Sequence, residues 1–270
     1  MMAPLTLLSP AKLNLFLHVT GRRPDGYHDL QTLFQLLDWG DQLTIELTLE
    51  GGIALETSLP GVADDDNLVM KAARLLTRDL PEEPNLRIAI EKRIPMGGGL
   101  GGGSSNAATT LLGLNRLLNL NRTIEDLAAL GASLGADVPV FVLGKNAWAE
   151  GIGDKLTPVE LPVRWYTIVC PNCHVSTKAV FTAPELTRDT PPITIPAFFE
   201  GGVQNDLQEV VLARHPEVLN ALKSLQKFSP AMMTGSGACV FSRFESEASA
   251  REVAARLQQD FQVVVARGLS

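Results

Sequence analysis

Six glycines fall within seven residues, Gly97-Gly98-Gly99-Leu100-Gly101-Gly102-Gly103, and two serines, Ser104 and Ser105, follow at once. A run of this kind can hold an anion with backbone alone. Glycine allows φ > 0 and puts no Cβ between the N–H groups and a ligand. A helix that opens directly after the run adds unpaired N–H donors and the positive end of its dipole. Phosphate is the usual guest at such a place. The ending of a P-loop, Gly-Lys-Ser/Thr, is missing. A GxGxxG spacing exists at Gly97, Gly99 and Gly102. The acidic candidates about 20 residues on, Glu125 and Asp126, follow Thr123 in a helix-start pattern and do not close a strand, so a dinucleotide fold fits poorly.

Other residues could add charge and proton transfer. Lys12 and Asn14 are two apart on a strand pattern and therefore project to one side. Lys12 could steer a phosphate, or could be a solvated edge lysine that blunts aggregation. Asp137, in Gly135-Ala136-Asp137-Val138-Pro139, suits a helix N-cap and equally a general base that takes a hydroxyl proton in phosphoryl transfer. Tyr27 and His28 follow a turn signal, Arg23-Pro24-Asp25-Gly26. An aromatic there could stack on a flat ring, with His28 as hydrogen-bond donor or acceptor; alternatively Tyr27 packs over the turn and His28 is solvated. Gly235-Ser236-Gly237 offers a second backbone nest or a plain hairpin turn.

These residues need a scaffold, and the hydrophobic pattern supplies one. Residues 86–92 alternate apolar and polar as a half-buried strand, which Pro95 stops. After the glycines, Ala107, Ala108, Leu111, Leu114 and Leu118 recur at helical spacing, with Ser104 or Ser105 as N-cap. Residues 11–19 read as a strand with Leu13, Leu15 and Leu17 on one face and Lys12, Asn14, Phe16 and His18 on the other. A strand over 43–49 follows, and Asp64-Asp65-Asp66-Asn67 precedes a helix over 68–80. A helix over 123–134 ends at Gly135, and 141–149 reads as a strand region. The pattern loosens over 151–162, which places a domain boundary there and gives domains of 1–155 and 156–270. The second part holds a strand over 165–170, a proline-rich loop ending in Gly201-Gly202, and helices from Asp206 broken at Pro216. Strands at 231–234 and 238–244, a helix over 247–259 and a strand over 262–266 complete it. Mixed elements without strict βαβ order predict an α+β protein.

The chain has 270 residues, 45% hydrophobic and 20% charged, with a net charge of −7. This is the composition of a globular protein, and its sign argues against broad contact with nucleic acid or anionic membrane. No stretch approaches the ~20 apolar residues of a membrane span. Residues 1–19 lack the positive start of a signal peptide, so the cytoplasm is the expected location. Cys170, Cys173 and Cys239 are too few for a disulfide framework. The string Cys170-Pro171-Asn172-Cys173-His174 reads as a strand end followed by a turn; a zinc site built on it would need a second ligand pair, and no metal site is expected.

Three segments in order resemble the GHMP kinase family, over nearly the whole chain. They are Pro10-Ala11-Lys12-Leu13-Asn14, then Pro95-Met96-Gly97 through Ser105-Asn106-Ala107-Ala108, then Thr234-Gly235-Ser236-Gly237-Ala238. The long glycine run, Gly21 through His28 and Gly135 through Phe141 are most similar to the branch acting on a cytidine diphosphate-linked methylerythritol. The mevalonate and homoserine branches, and a non-catalytic nucleotide- or RNA-binding module, are the alternatives. The resemblance implies an N-terminal domain like the second domain of ribosomal protein S5 and a ferredoxin-like C-terminal domain. It implies ATP as phosphoryl donor, Mg²⁺ held through the ATP phosphates, and a small-molecule acceptor, with no nucleic acid or membrane. It assigns Asp137 as base and Lys12 as catalytic lysine. The nucleotide site would be Pro95, Met96, Gly97, Gly98, Gly99, Leu100, Gly101, Gly102, Gly103, Ser104 and Ser105. Tyr27, His28 and Phe181 would hold the cytosine, with Tyr27 and Phe181 stacking on its two faces, and Asn14 would touch substrate.

Overall fold

A computed structural model describes residues 3–57 and 59–270. Two compact units are present. One comprises the chain up to Ala11, Trp39–Ile94 and Gly101–Gly144; the other comprises Lys12–Asp38, Pro95–Leu100 and Lys145–Ser270. Two long strands, β1 (Leu5–Arg22) and β2 (His28–Leu47), contribute residues to both.

In the first unit, the later part of β2 pairs antiparallel with β4 (Leu86–Glu91), from Gln42 opposite Glu91 to Leu47 opposite Leu86. A short β3 (Ile53–Leu55) lies parallel to β4. Leu86, Ile88 and Ile90 of β4 are buried and Arg87 and Glu91 exposed, the alternation that the sequence predicts. Among the described residues the unit is completed by helices α1 (Leu68–Thr77), α2 (Gly102–Leu117), α3 (Ile124–Ala132) and α4 (Val138–Leu143). Ala107, Ala108, Leu111 and Leu114 place α2 in the core. The α3 start is the expected capping box, Thr123 with Asp126. A Cβ on Gly131 would lie 2.6 Å from Val138 Cγ1, so only glycine lets α3 approach α4 this closely.

Several expectations need correction here. Residues 138–143 form α4, where a strand region is expected from Phe141 on; the strand begins only at Ala147. A β-branched run misleads, while Pro139 near the helix start and a left-handed Gly144 at its end are the helix signals. Neither Ser104 nor Ser105 caps α2: both lie inside it, and the N-cap is Gly101 at φ 75°. Asp64–Asp66 form a separate 3₁₀ turn, and Asn67 caps α1, accepting from Val69 N at 2.9 Å.

In the second unit, the start of β2 pairs with β5 (Ala147–Glu150), which pairs with β6 (Lys155–Pro158). A separate antiparallel sheet has the order β10-β7-β9-β8, from β7 (Trp165–Cys170), β8 (Ala231–Met233), β9 (Val240–Phe244) and β10 (Gln262–Arg267). Helices α5 (Thr177–Phe181), α6 (Ile195–Glu200), α7 (Leu207–Arg214), α8 (Pro216–Gln226) and α9 (Glu247–Leu257) accompany it. Its core gathers Val169, Val211, Leu222, Leu225 and Val240. The proline-rich segment is not a plain loop. Ser176 and Thr194 cap α5 and α6 within it. The break at Pro216 is where the sequence puts it. Among the described residues no helix is long and apolar enough to cross a membrane.

Candidate active site

The three sequence motifs meet around one hydroxyl. Thr234 Oγ1 accepts from Asn14 N at 3.0 Å and reaches Gly99 O at 3.4 Å. The backbone repeats the connection. Lys12 N donates to Leu100 O, Ala238 N to Gly97 O and Cys239 N to Gly98 O, at 3.0 to 3.1 Å. Asn205 Nδ2 bridges Met233 O and Gly235 O, both at 2.8 Å, and holds the Gly235-Ser236-Gly237 turn in shape. Residues 97–99 are thus fastened by Thr234, Ala238 and Cys239, and Leu100 by Lys12. These bonds explain three of the glycines. A Cβ on Gly97 would lie 2.5 Å from His174 Nδ1, one on Gly98 2.7 Å from Cys239 Sγ, and one on Gly99 2.2 Å from Thr234 O. Gly99 also sits at φ 73°.

The second half of the run behaves differently. Gly101 at φ 75° opens α2, so the unpaired N–H groups of the first turn belong to Gly102, Gly103 and Ser104. Gly103 is exposed, and a Cβ there would meet only Leu68 Cδ1, at 3.5 Å. A buried network anchors this helix. The Asp41 carboxylate is fully buried and accepts from Arg93 N at 2.7 Å, Ile94 N at 2.8 Å and Asn106 Nδ2 at 2.9 Å, and from Lys92 Nζ. Lys92 Nζ also lies 3.3 Å from the Cβ position of Gly102, which brings a cation to the start of α2. Asp41, Lys92 and Asn106 are absent from the sequence-predicted site. Only the capacity of a buried aspartate to gather donors could have signalled them.

Asp137 lies in the same unit as α2, at the N-cap position of α4. Its side chain makes no capping bond there and its backbone is helical, so the structural role expected of it is not the one it fills. The Asp137 turn is close to the helix start: Ser104 Oγ is 3.6 Å from a Cβ built on Gly135.

Lys12 is not a solvated edge lysine. It is 3% exposed, because both faces of β1 are buried along 11–14 and 16–19. Lys12 Nζ donates to Asn14 Oδ1 at 2.5 Å and stands 5.3 Å from the Phe34 ring centre. Asn14 Nδ2 in turn donates to Thr32 Oγ1 at 3.0 Å. A buried ammonium held this way is a fixed positive charge in a poorly screened place.

Tyr27 and His28 part company. Tyr27 is 63% exposed after the turn, which forms as expected with Gly26 N bonded to Arg23 O at 3.1 Å. His28 is buried, contrary to the solvated alternative. Arg188 Nε donates to His28 Nε2 at 3.1 Å. The same guanidinium donates to Phe181 O, the last residue of α5, at 3.1 Å, and beyond the helix to Ala183 O at 2.5 Å and Leu186 O at 3.0 Å. The Phe181 ring centre is 5.2 Å from that of His28. Burial, then the Arg188 and Arg22 charges, hold His28 below its usual pKa. An arginine can only donate, so His28 Nε2 carries a lone pair and its proton resides on Nδ1. Arg188 is a further residue that the sequence pattern does not announce.

Comparison with known proteins bears on the family and the fold. The pattern of the GHMP kinases N terminal domain matches residues 67–145, and that of the GHMP kinases C terminal domain matches 195–263. A 4-diphosphocytidyl-2-C-methyl-D-erythritol kinase from Hahella chejuensis is 53% identical, over 98% of this chain and 94% of its own. The protein of that name from Marinobacter nauticus is 55% identical, over 93% and 89%. The crystal structure of a 4-(cytidine 5'-diphospho)-2C-methyl-D-erythritol kinase superposes with a TM-score of 0.87 at 34% identity, covering 98% of this chain and 100% of that one. The mevalonate kinase of Methanococcus jannaschii, at 16% identity and a TM-score of 0.74, shares the fold. The expected α+β architecture is therefore the one found, and the chain belongs to the GHMP kinase family.

Proposed function

We propose that this chain transfers the γ-phosphoryl group of ATP to the 2-hydroxyl of 4-diphosphocytidyl-2-C-methyl-D-erythritol, releasing ADP. The observation that carries the reading is the junction at Thr234, which ties Asn14 and Gly99 into one site from three distant segments. Relatives bearing that kinase's name and 53% identical over nearly the whole chain support the choice of substrate. The bound nucleotide would rest its phosphates on the N–H groups opening α2, where the helix dipole favours negative charge. Lys12 would neutralise charge building on the transferred group. The substrate oxygen attacks phosphorus, the bond from phosphorus to the bridging oxygen of ADP breaks, and Asp137 accepts the hydroxyl proton. Asn14 would orient the acceptor, and Tyr27, Phe181 and His28 would grip the cytosine. That grip is remote from the reaction and can be used to fix the attacking oxygen.

Mg²⁺ accompanies ATP in such reactions. No three carboxylates converge among the described residues. Phosphate oxygens would supply its ligands, and no step assigned to the protein depends on it.

The test is a substrate panel read by ADP release. Turnover of the cytidine compound, with mevalonate and homoserine inert, is the expected result. Turnover of mevalonate without the cytidine compound would reject the substrate assignment.

A further inference from the structure

Away from the glycine run, three side chains of metal-binding type come together within the second unit. Cys173 lies on the turn after β7, His215 at the corner joining α7 to α8, and Glu217 in the first turn of α8. One ligand atom from each lies within 4.8 Å of the others. We infer that Cys173, His215 and Glu217 form a binding site for a borderline-soft divalent cation, Zn²⁺ above all, with a water molecule in the fourth position.

The donor set selects the ion. Thiolate, imidazole and carboxylate together suit Zn²⁺, whereas Mg²⁺ and Ca²⁺ take oxygen. Thiolate and carboxylate charges balance the dication, and the thiol proton leaves to solvent on binding. Zinc bonds of ~2.0–2.3 Å need ligand atoms roughly 3.5 Å apart in a tetrahedron. Closure from a spacing of at most 4.8 Å therefore calls for side-chain movement of at most about 1.3 Å, within reach of a glutamate on a helix surface. The backbone is already fixed. His215 N donates to Val211 O at 2.8 Å, and His215 O accepts from Val218 N at 3.0 Å. Pro216 locks the next residue into the helix. Cys173 N donates to Pro171 O at 2.8 Å, and the Cys173 side chain packs on the core beneath.

The string Cys170-Pro-Asn-Cys173 by itself suggests no zinc site, and β7 does end at Cys170 with a turn after it. What the string lacks, the fold supplies from some forty residues further along. The site also has a neighbour of interest. His174, the next residue, occupies the space where a side chain on Gly97 of the glycine run would stand. A bound cation would fix the turn that carries this contact.

The experiment uses the untagged, reduced full chain. Co²⁺ titration should saturate at about one equivalent, with near-ultraviolet thiolate-to-cobalt absorption that Zn²⁺ abolishes by displacement. Cys173→Ser should remove that absorption and Cys170→Ser should leave it intact. His215→Ala and Glu217→Gln should each weaken Zn²⁺ by more than the ~10–100-fold typical of losing an outer-shell group. Absence of the thiolate band, its survival in Cys173→Ser, or Zn²⁺ affinity unchanged in His215→Ala would overturn the site. If Cys173→Ser does not fold, the His215 and Glu217 variants decide, since Glu217 is exposed and His215 only half-buried.

Discussion

The two halves of the glycine run obey different rules. Residues 97–99 are glycine because protein fills the space: His174, Cys239 and the Thr234 carbonyl stand where side chains would be. Residue 103 is glycine in the open, on the first turn of a helix with only Leu68 Cδ1 nearby at 3.5 Å. The first half is a structural joint. In the second, Gly102 still packs on Ile94, and Gly103 alone is open, which on the proposed function leaves its N–H bare for a ligand. A glycine-rich string therefore does not mean that every glycine touches phosphate, and substitutions in the two halves should fail in different ways.

Variants can break or sharpen this contrast. The largest effect should come from Asp137→Asn, which removes the base proposed above. Its kcat should fall by about 10²–10⁴-fold with nucleotide affinity kept, as read by steady-state assay and a fluorescent ATP analogue. Near-normal turnover would remove Asp137 from the chemistry. Next is Gly99→Val, which forces a branched side chain into φ 73° and onto a carbonyl. It should cost about 3 kcal/mol or more in denaturant unfolding. Gly103→Val should leave the midpoint nearly unchanged and raise KM for ATP instead. Equal behaviour of the two valines would erase the distinction.

Asp41→Asn probes the anchor of the open half. It leaves Lys92 without its carboxylate and should cost about 2–3 kcal/mol, less than a fully buried pair would, because the Lys92 side chain is 22% exposed. An unchanged unfolding curve would show that the network does not hold α2. Tyr27→Ala should raise KM for the cytidine compound about tenfold with a smaller change in kcat, as expected for one lost stacking contact. An unaltered KM would leave Tyr27 outside the site.

The smallest effect concerns pH. The folded His28 has a pKa below its usual 6.5. Stability contributed by its neutral form is complete above 6.5 and is lost as pH falls from there through the lowered folded value. KM for the cytidine compound should rise in the parent as pH falls through that lowered folded value and stay flatter in His28→Gln. Identical profiles would show that His28 is not the group being read.

Much of this was legible in the chain. Strand β4, the Thr123 capping box, the Arg23–Gly26 turn and the Pro216 break follow from local rules, and each formed as expected. The glycine run announced a helix start, though it did not show that Gly101 is the cap. The limits were physical. Strands β1 and β2 bury Lys12, Asn14, His18, Gln31, Thr32 and Gln35, so a polar residue in these strands does not mark an exposed face. Thr234 bonds to Asn14 across 220 positions and Arg188 to His28 across 160. No local pattern encodes a partner at that distance. Lys12 illustrates the cost: read alone it is an ordinary surface lysine, and only its surroundings make it a fixed charge.

The grip of Arg188 on His28 has a consequence for choosing between bases. With one ring nitrogen committed to the guanidinium, the imidazole can show a ligand only the N–H of the other. Cytosine offers ring N3 and O2 as lone pairs, whereas uracil bears hydrogen on N3. On the proposed assignment, a donor facing a donor penalises the deaminated base. The preference would be set by a side chain that need never touch the ligand.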